Sequence, residues 1–300
     1  MNTTTDHVLR PAATLDLFHL PGATLLAVWA HPDDESSKGA GTVIHYSDLG
    51  VRCSLLVATG GEEGDILNPA MDRPEVSANL AAIRDEELEA AAAILGYAHI
   101  YRLGYRDSGM PDSEANRRPD AFTNADEEEA VAAMVAVIRQ EKPQVILGYD
   151  DHEYYPHPDH LRVHDLALKA FHGAGDPDRY PESGVAWAPD RLFAPVFSRD
   201  RIMSLHEAML ARGLESPLSR WLRRIPKGEE THVDVRVPID STLSRARDAL
   251  RAHATQVDPD GFWFQIPEEV VIDVYPWEDF ALLAGDGAGS HHQHDLFGGL

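Results

Sequence analysis

The chain has 300 residues, of which 43% are hydrophobic and 25% are charged, a composition typical of a globular protein and unlike that of a fibrous or wholly disordered one. It has 26 Lys and Arg residues against 50 Asp and Glu residues, and the resulting formal charge of -24 disfavours binding to nucleic acid or to an anionic membrane. No apolar stretch reaches the roughly 20 residues of a membrane span, and the first residues lack a secretory signal pattern, so we expect a cytoplasmic protein with a small-molecule partner.

Strand-like apolar runs alternate with helix-period segments through the first half of the chain. The predicted strands are 24–30, 52–59, 99–102 and 144–147, and the predicted helices are 36–49, 76–95, 126–140 and 158–171. This alternation predicts an α/β fold, a Rossmann-like, mostly parallel sheet with helices on both faces. Because such sheets bind ligands beyond the carboxyl ends of their strands, chemically active residues are expected directly after the strands.

The second half of the chain is predicted to form a smaller C-terminal α/β cap. A loop rich in Gly, Pro and Asp at 173–184 precedes predicted strands at 187–198 and 232–239 and a predicted helix at 245–256, while 261–266 and 270–275 receive no firm assignment. We therefore predict four parts. They are an N-terminal extension (1–20), a metal-binding core (21–175), a cap that completes the substrate pocket (176–283) and a flexible His- and Gly-rich tail (284–300).

Three potential metal or proton ligands follow the first predicted strand within a single turn. They lie in the string His31-Pro32-Asp33-Asp34-Glu35. The structural alternative is an acidic start for the helix that begins near Ser36, because carboxylates in a first turn favour the helix dipole.

A second cluster, His157-Pro158-Asp159-His160, follows the fourth predicted strand. Pro158 suits the first position of a helix, so His157 and His160 lie about one turn apart and face the same place. If the two strands are neighbours, the two clusters meet, and two histidines with one carboxylate are a usual ligand set of catalytic zinc. Separate surface histidines at helix starts are the structural alternative.

His31 and His160 are the expected nitrogen ligands of this site. The i to i+3 spacing from His31 favours Asp34 as the carboxylate ligand and leaves Asp33 free beside the ion. A free carboxylate is the expected general base, since a metal lowers the pKa of bound water towards about 7. The reverse assignment, with Asp33 on the metal, stays open at this point. Zn2+ is the expected ion, and Fe2+ suits the same donors.

These strings resemble the LmbE/PIG-L family of zinc-dependent N-deacetylases, which act on amides of glucosamine. The similarity extends over most of the chain, with strings typical of the mycothiol branch of the family. Those strings are 59–64, 84–87 with 95–96, 105–110 and 250–256. His157 is placed to meet the oxyanion of the reaction. The resemblance implies that Asp159 holds one nitrogen of His157, and that the Tyr155 hydroxyl assists at the same oxyanion.

The mycothiol branch contains two activities, and the resemblance favours one of them. Lys38 matches the amidase, which cleaves the glucosaminyl-cysteine amide of mycothiol S-conjugates to give a mercapturic acid and glucosaminyl-inositol in thiol-dependent detoxification. The alternative is the deacetylase of GlcNAc-inositol or of another N-acetylglucosamine compound. In either case the resemblance implies that Arg84 and Asp107 hold sugar and inositol hydroxyls. A non-catalytic sugar- or metal-binding protein is a remote alternative. Such a protein needs no free base, and the presence of Asp33 argues against it.

Other features of the sequence predict no activity. Cys53 lies in the apolar run 51–58 and is expected to be a small core residue. Gly60 and Gly61 lack the lysine of a phosphate-binding loop, and the chain has no G-x-S-x-G string of a serine hydrolase. His253 is expected to be a buried histidine with a polar partner.

Overall fold

A computed structural model describes residues 22–151, 155–223, 232–287 and 294–300. The strands of these residues are β1 (Thr24–Trp29), β2 (Arg52–Thr59), β3 (His99–Tyr105), β4 (Val145–Leu147), β5 (Arg191–Val196), β6 (Val235–Pro238) and β7 (Trp277–Gly285). They form one sheet in the order β3-β2-β1-β4-β5-β7-β6. The first five strands run parallel, and β7 is antiparallel to β5 and β6. The predicted Rossmann-like, mostly parallel sheet is confirmed.

The helices of the described residues connect these strands. They are α1 (Asp34–Ser37), α2 (Ala40–Asp48), α3 (Pro74–Ser77), α4 (Leu80–Leu95), α5 (Glu127–Glu141), α6 (Pro158–Ala174), α7 (Arg199–Ala211), α8 (Ser219–Leu222), α9 (Leu243–Ala252) and α10 (Glu268–Val274). Helix α9 packs against α2 and α4, and α5 packs against α6. The chain runs one way along the sheet from β1 to β3 and the other way from β3 to β5. Right-handed crossovers therefore put these two groups of helices on opposite faces of the sheet.

The centre of the sheet is buried along its length and positions the loops that follow it. Every residue of β1 is buried, and so is every residue of β2 after Arg52. Parallel strands covered on both faces have this continuous apolar character, which the sequence showed in both runs. The strand order reverses between β1 and β4, and ligands of open α/β sheets bind at such a switch point.

The second half of the chain extends this same sheet. Strands β5, β6 and β7 all come from it, and β5 pairs directly with β4. The division at residue 175 stays a prediction. Among the helices of the described ranges, none combines the length and the apolar character of a membrane span.

The segment predicted as a flexible tail is partly ordered in the structure. Its first residues end β7, and Leu296 and Phe297 are buried in the main hydrophobic core. The Arg191 guanidinium also donates to the Leu296 carbonyl at 2.8 Å. The predicted mobility is therefore wrong for this part, because two large apolar side chains near the end of the chain pack into the core. The predicted extension at 1–20 and residues 288–293 of the tail lie outside the described residues.

Candidate metal and catalytic site at the switch point

The loop after β1 turns sharply at Asp33, which separates the side chains of two adjacent aspartates. Asp33 has φ 117° and ψ -23°, a region that non-glycine residues rarely adopt. Its backbone N–H donates to Oε2 of Glu35 at 2.9 Å, and α1 begins at the next residue. Asp34 is consequently buried, whereas the Asp33 side chain keeps 28% of its surface exposed.

The first turn of α6 supplies the histidines of the second cluster. Pro158 occupies the first helical position, as its fixed φ favours, and Nδ1 of His157 accepts the Asp159 N–H at 3.2 Å. The rings of His157 and His160 lie 5.0 Å apart between centroids, and that of His157 lies 4.7 Å from His31. The two clusters therefore meet between β1 and β4, as the sequence predicts.

His31, Asp34 and His160 each direct one donor atom towards a common point. Nδ1 of His31 lies 3.4 Å from Oδ2 of Asp34, and Nε2 of His160 lies 3.4 Å from the same oxygen and 3.3 Å from that Nδ1. Donors about 2.0–2.1 Å from a tetrahedral ion are separated from one another by about 3.3–3.4 Å. The residues present therefore fit a divalent cation.

Two carboxylates lie on the other side of the His31 ring. Nε2 of His31 is 3.1 Å from Oδ2 of Asp159 and 3.5 Å from Oδ1 of Asp107. A histidine bound to a metal usually donates its other N–H to a carboxylate, and these two occupy that position. His31, Asp107 and Asp159 are also close enough to bind an ion themselves, as are His31, His157 and His160.

The position of Asp159 differs from the one that the resemblance implies. Its carboxylate contacts His31 and accepts the Ser108 N–H at 2.9 Å, while only its backbone N–H reaches His157. Asp107, expected to hold substrate hydroxyls, is likewise buried, with Oδ1 accepting the Gly109 N–H at 2.8 Å. In this structure, the carboxylates of Asp159 and Asp107 both contact the His31 ring.

The buried carboxylates give the site a negative potential that favours a cation. Burial lowers the pKa of His31, but its hydrogen bonds to Asp107, Asp159 and Asp34 outweigh burial and raise that pKa well above the ordinary value. Burial lowers the pKa of His160 to about 3, against the opposing influence of Asp34. His160 is therefore neutral, which is the form that binds a metal.

Lys38 and Arg84, the two basic residues predicted to bind substrate, contact the two aspartates. Nζ of Lys38 donates to Oδ1 of Asp34 at 2.6 Å. Arg84 is buried, and it donates to the carbonyl of Pro32 and to Oδ2 of Asp33, the latter at 3.3 Å. Burial raises the pKa of Asp33 although Arg84 opposes this. Burial also raises the pKa of Asp34, but Lys38 and the histidines bring it well below its usual range.

Tyr155 stands at the exposed edge of the histidine cluster. Its side chain is half exposed, and its ring centroid lies 5.7 Å from that of His160 and 6.2 Å from that of His157. Burial lowers the pKa of His157 to about 4, with the nearby His31 acting in the same direction. His157 is therefore a neutral imidazole at neutral pH. It lies with Tyr155 next to the triangle formed by the donor atoms of His31, Asp34 and His160.

The structure adds three residues that the sequence analysis did not assign to the site. The Tyr149 hydroxyl donates to Asp34 and accepts the Ala30 N–H at 2.8 Å, and its ring stacks on His160 at 4.3 Å. Glu35 pairs with His253 at 2.6 Å, and neither side chain is exposed. In the sequence, the place of Tyr149 just after a predicted strand could have indicated a site residue. No local signal indicated that His253 is the partner of Glu35.

Comparisons with known proteins give a consistent result. The family model described as PIG-L, GlcNAc-PI de-N-acetylase, matches residues 26–171. A mycothiol S-conjugate amidase of Streptomyces coelicolor is 40% identical over 92% of this chain and 97% of its own length. A 1D-myo-inositol 2-acetamido-2-deoxy-alpha-D-glucopyranoside deacetylase of Geodermatophilus obscurus is 37% identical over 93% of this chain and 99% of its own. The solved N,N'-diacetylchitobiose deacetylase of Pyrococcus horikoshii has the same fold, with a TM-score of 0.59 and 21% identity over 87% of this chain and 83% of that one.

Proposed function

This chain belongs to the PIG-L (LmbE) family of deacetylases and amidases, and on that premise we propose that it is a zinc-dependent amidase acting on mycothiol S-conjugates. The bond cleaved is the amide between glucosamine and the S-substituted cysteine, and the products are a mercapturic acid and glucosaminyl-inositol. The observation that carries the proposal is the triangle of His31, Asp34 and His160 donors, with Asp33 outside it.

His31, Asp34 and His160 are the proposed metal ligands. Two imidazoles and one carboxylate are a usual set for catalytic zinc, and Fe2+ is the alternative for the same donors. When bound, such an ion polarises the amide carbonyl and lowers the pKa of water, which supplies the nucleophile. Asp159 and Asp107 accept the remaining N–H of His31 and keep its ring oriented.

Asp33 is the proposed general base. Its carboxylate is outside the ligand triangle and partly exposed, so it can take the proton of the attacking water. Returning that proton to the leaving amine nitrogen allows the C–N bond to break with the amine neutral. The guanidinium of Arg84 donates to Oδ2 of this carboxylate at 3.3 Å.

His157 and Tyr155 are the proposed donors to the oxyanion. Because Nδ1 of His157 accepts the Asp159 N–H, the ring proton of the neutral imidazole lies on Nε2 and is available to donate. The partly exposed Tyr155 hydroxyl is a second donor at the mouth of the site. Donors aimed at developing charge lower the barrier more than they stabilise the bound substrate.

The amidase is preferred to the deacetylase on the basis of Lys38. The resemblance associates a lysine at this position with the amidase, and the contact of Lys38 with Asp34 puts it beside the proposed metal. The deacetylase of GlcNAc-inositol is the second candidate, because relatives of that name reach 37% identity over nearly the whole chain.

The deciding experiment compares two substrates of the metal-loaded protein. We expect a higher kcat/KM for a bimane conjugate of mycothiol than for GlcNAc-inositol, and Lys38→Ser should shift the ratio of the two constants towards GlcNAc-inositol. Lys169→Ser, at a half-exposed lysine of α6, is the control and should leave the ratio unchanged. Preference of the unmutated protein for GlcNAc-inositol would reject the amidase, and hydrolysis of neither substrate would reject both activities.

A further inference from the structure

We propose that Glu35 and His253 are positioning residues for Asp33, so that the C-terminal half of the chain fixes the geometry of the catalytic base. The inference rests on the proposed role of Asp33, and nothing in the comparisons assigns a role to either residue.

The backbone of Asp33 needs to be held in place. Its φ of 117° lies in the left-handed region, where the Cβ of a non-glycine residue is crowded, and such a residue persists only when its surroundings determine its conformation. The Asp33 N–H donates to Oε2 of Glu35 at 2.9 Å, and Arg84 donates to the carbonyl of the preceding Pro32. Both bonds are made to the single peptide group that joins Pro32 to Asp33, whose C=O and N–H are thereby both held.

The Glu35 carboxylate is in turn oriented by His253. Its Oε1 is 2.6 Å from Nε2 of His253 and accepts the Ser36 hydroxyl, which leaves Oε2 for Asp33. Glu35 and His253 are both 0% exposed. His253 follows the last turn of α9, which packs against α1 and α4. The Glu35 carboxylate thereby connects the end of α9 to the turn that contains Asp33.

A purely stabilising role explains this pair poorly. A fully buried ion pair contributes little net stability compared with apolar residues of the same size, although removing one partner is strongly destabilising. The same segment also contains a comparable buried contact, in which the Thr255 N–H and hydroxyl donate to Glu87 at 2.8 and 2.7 Å. That contact joins the segment to α4 and provides a matched control.

The test compares His253→Gln with His253→Asn in the full-length, zinc-loaded protein. The glutamine amide nitrogen reaches the position of Nε2 and should retain most of kcat, while the shorter asparagine reaches only that of Nδ1. We expect His253→Asn and His253→Ala to lower kcat by about a hundredfold, the loss typical of a misplaced catalytic group, with KM and zinc content unchanged. Thr255→Val should lower Tm and leave kcat unchanged.

A crystal structure of His253→Asn tests the same inference without any turnover. We expect Asp33 to leave its positive φ, with zinc bound as in the unmutated protein. Equal kcat for the Asn and Gln variants, a positive φ at Asp33 in the Asn variant, or a similar loss of kcat in Thr255→Val would overturn the inference. Inactivity of the unmutated protein towards both amides would instead reject the proposed function, and the φ of Asp33 would still test the positioning role.

Discussion

Asp33 and Asp34 are neighbours in sequence, but they have different surroundings. Asp34 is buried between two imidazoles, Lys38 and the Tyr149 hydroxyl, whereas Asp33 is partly exposed and contacts Arg84. The turn at Asp33 produces this separation, because it directs consecutive side chains to different places. One carboxylate is thereby suited to bind a cation and the other to move a proton.

Substitution of the two aspartates should have different consequences. Asp33→Ala is expected to lower turnover by at least about a hundredfold, the low end for losing a general base, while zinc content stays near that of the unmutated protein. Asp34→Ala is expected to lose the metal, since it removes a ligand. Turnover assays with metal analysis of both variants check this. Loss of zinc in Asp33→Ala and its retention in Asp34→Ala would reverse the assignment.

Cys53 should be chemically inert in the folded protein. The residue is buried, and burial raises the pKa of its thiol to about 12, so almost none of the reactive thiolate is present near pH 8. We expect a thiol reagent to label Cys53 only in denaturant, and Cys53→Ala to keep its turnover. Rapid labelling of the native protein would contradict its place in the core.

At the scale of single residues, the sequence could predict those site residues that are close together in the chain. The strings around His31 and His160 each lie within one turn, and their types and spacing already indicated a metal. The bond from His31 to Asp159 spans 128 positions, and that from Glu35 to His253 spans 218. Such pairs depend on how elements pack, and no local pattern specifies that.

Helix α2 illustrates how elements of the two halves of the chain support each other. Its own N-cap residue is Gly39, which has no side chain to accept the first N–H groups. Glu278 of β7 accepts the N–H groups of Gly41 and Thr42 at 3.2 and 2.9 Å, and it also accepts the Thr42 hydroxyl at 2.6 Å. A carboxylate at this end also favours the helix dipole.

Removing this external cap should destabilise the protein without affecting catalysis directly. Glu278→Ala is expected to lower the free energy of unfolding by about 1.5–3 kcal/mol, the range for hydrogen bonds to a charged group, and Glu278→Gln by less. Urea unfolding measures both. Glu86→Ala, at an exposed position of α4, is the control and should change stability by less than about 0.5 kcal/mol. Equal effects of Glu278→Ala and the control would contradict the capping role.

Elements with strong local patterns were predicted well, and two elements near the end of the sequence, α10 and β7, were not. The bounds of β2 agree with the prediction, because a continuous apolar run is ended by Gly60. Helix α10 starts after Pro267 with acidic residues in its first turn, but the β-branched run 270–272 masks these helical signals. Strand β7 pairs antiparallel with β5 and β6, so its place depends on strands far away in the chain.

At the scale of the whole molecule, the proposed catalytic site draws on both halves of the chain. The ligand triangle follows β1 and β4, while His253 comes from the end of α9. Three carboxylates, those of Asp34, Asp107 and Asp159, approach the single ring of His31. A bound cation is expected to relieve the repulsion among these carboxylates and to stabilise the folded chain.

Removing the metal should therefore lower both activity and stability. Treatment with a chelator is expected to abolish turnover and to lower Tm, because an ion that binds the folded state alone stabilises it by mass action. Adding back zinc should restore both quantities. Differential scanning calorimetry with metal analysis checks this, and full turnover after verified removal of the metal would contradict the proposed mechanism.

We propose that residues 31, 34 and 160 share one ion, and anomalous diffraction at the zinc edge locates that ion. We predict one strong peak within about 2.0–2.2 Å of Nδ1 of His31, Oδ2 of Asp34 and Nε2 of His160, with Asp33 outside the ligand sphere. A peak on the opposite side of the His31 ring, between Asp107 and Asp159, would show that His31, Asp34 and His160 are not the ligand set.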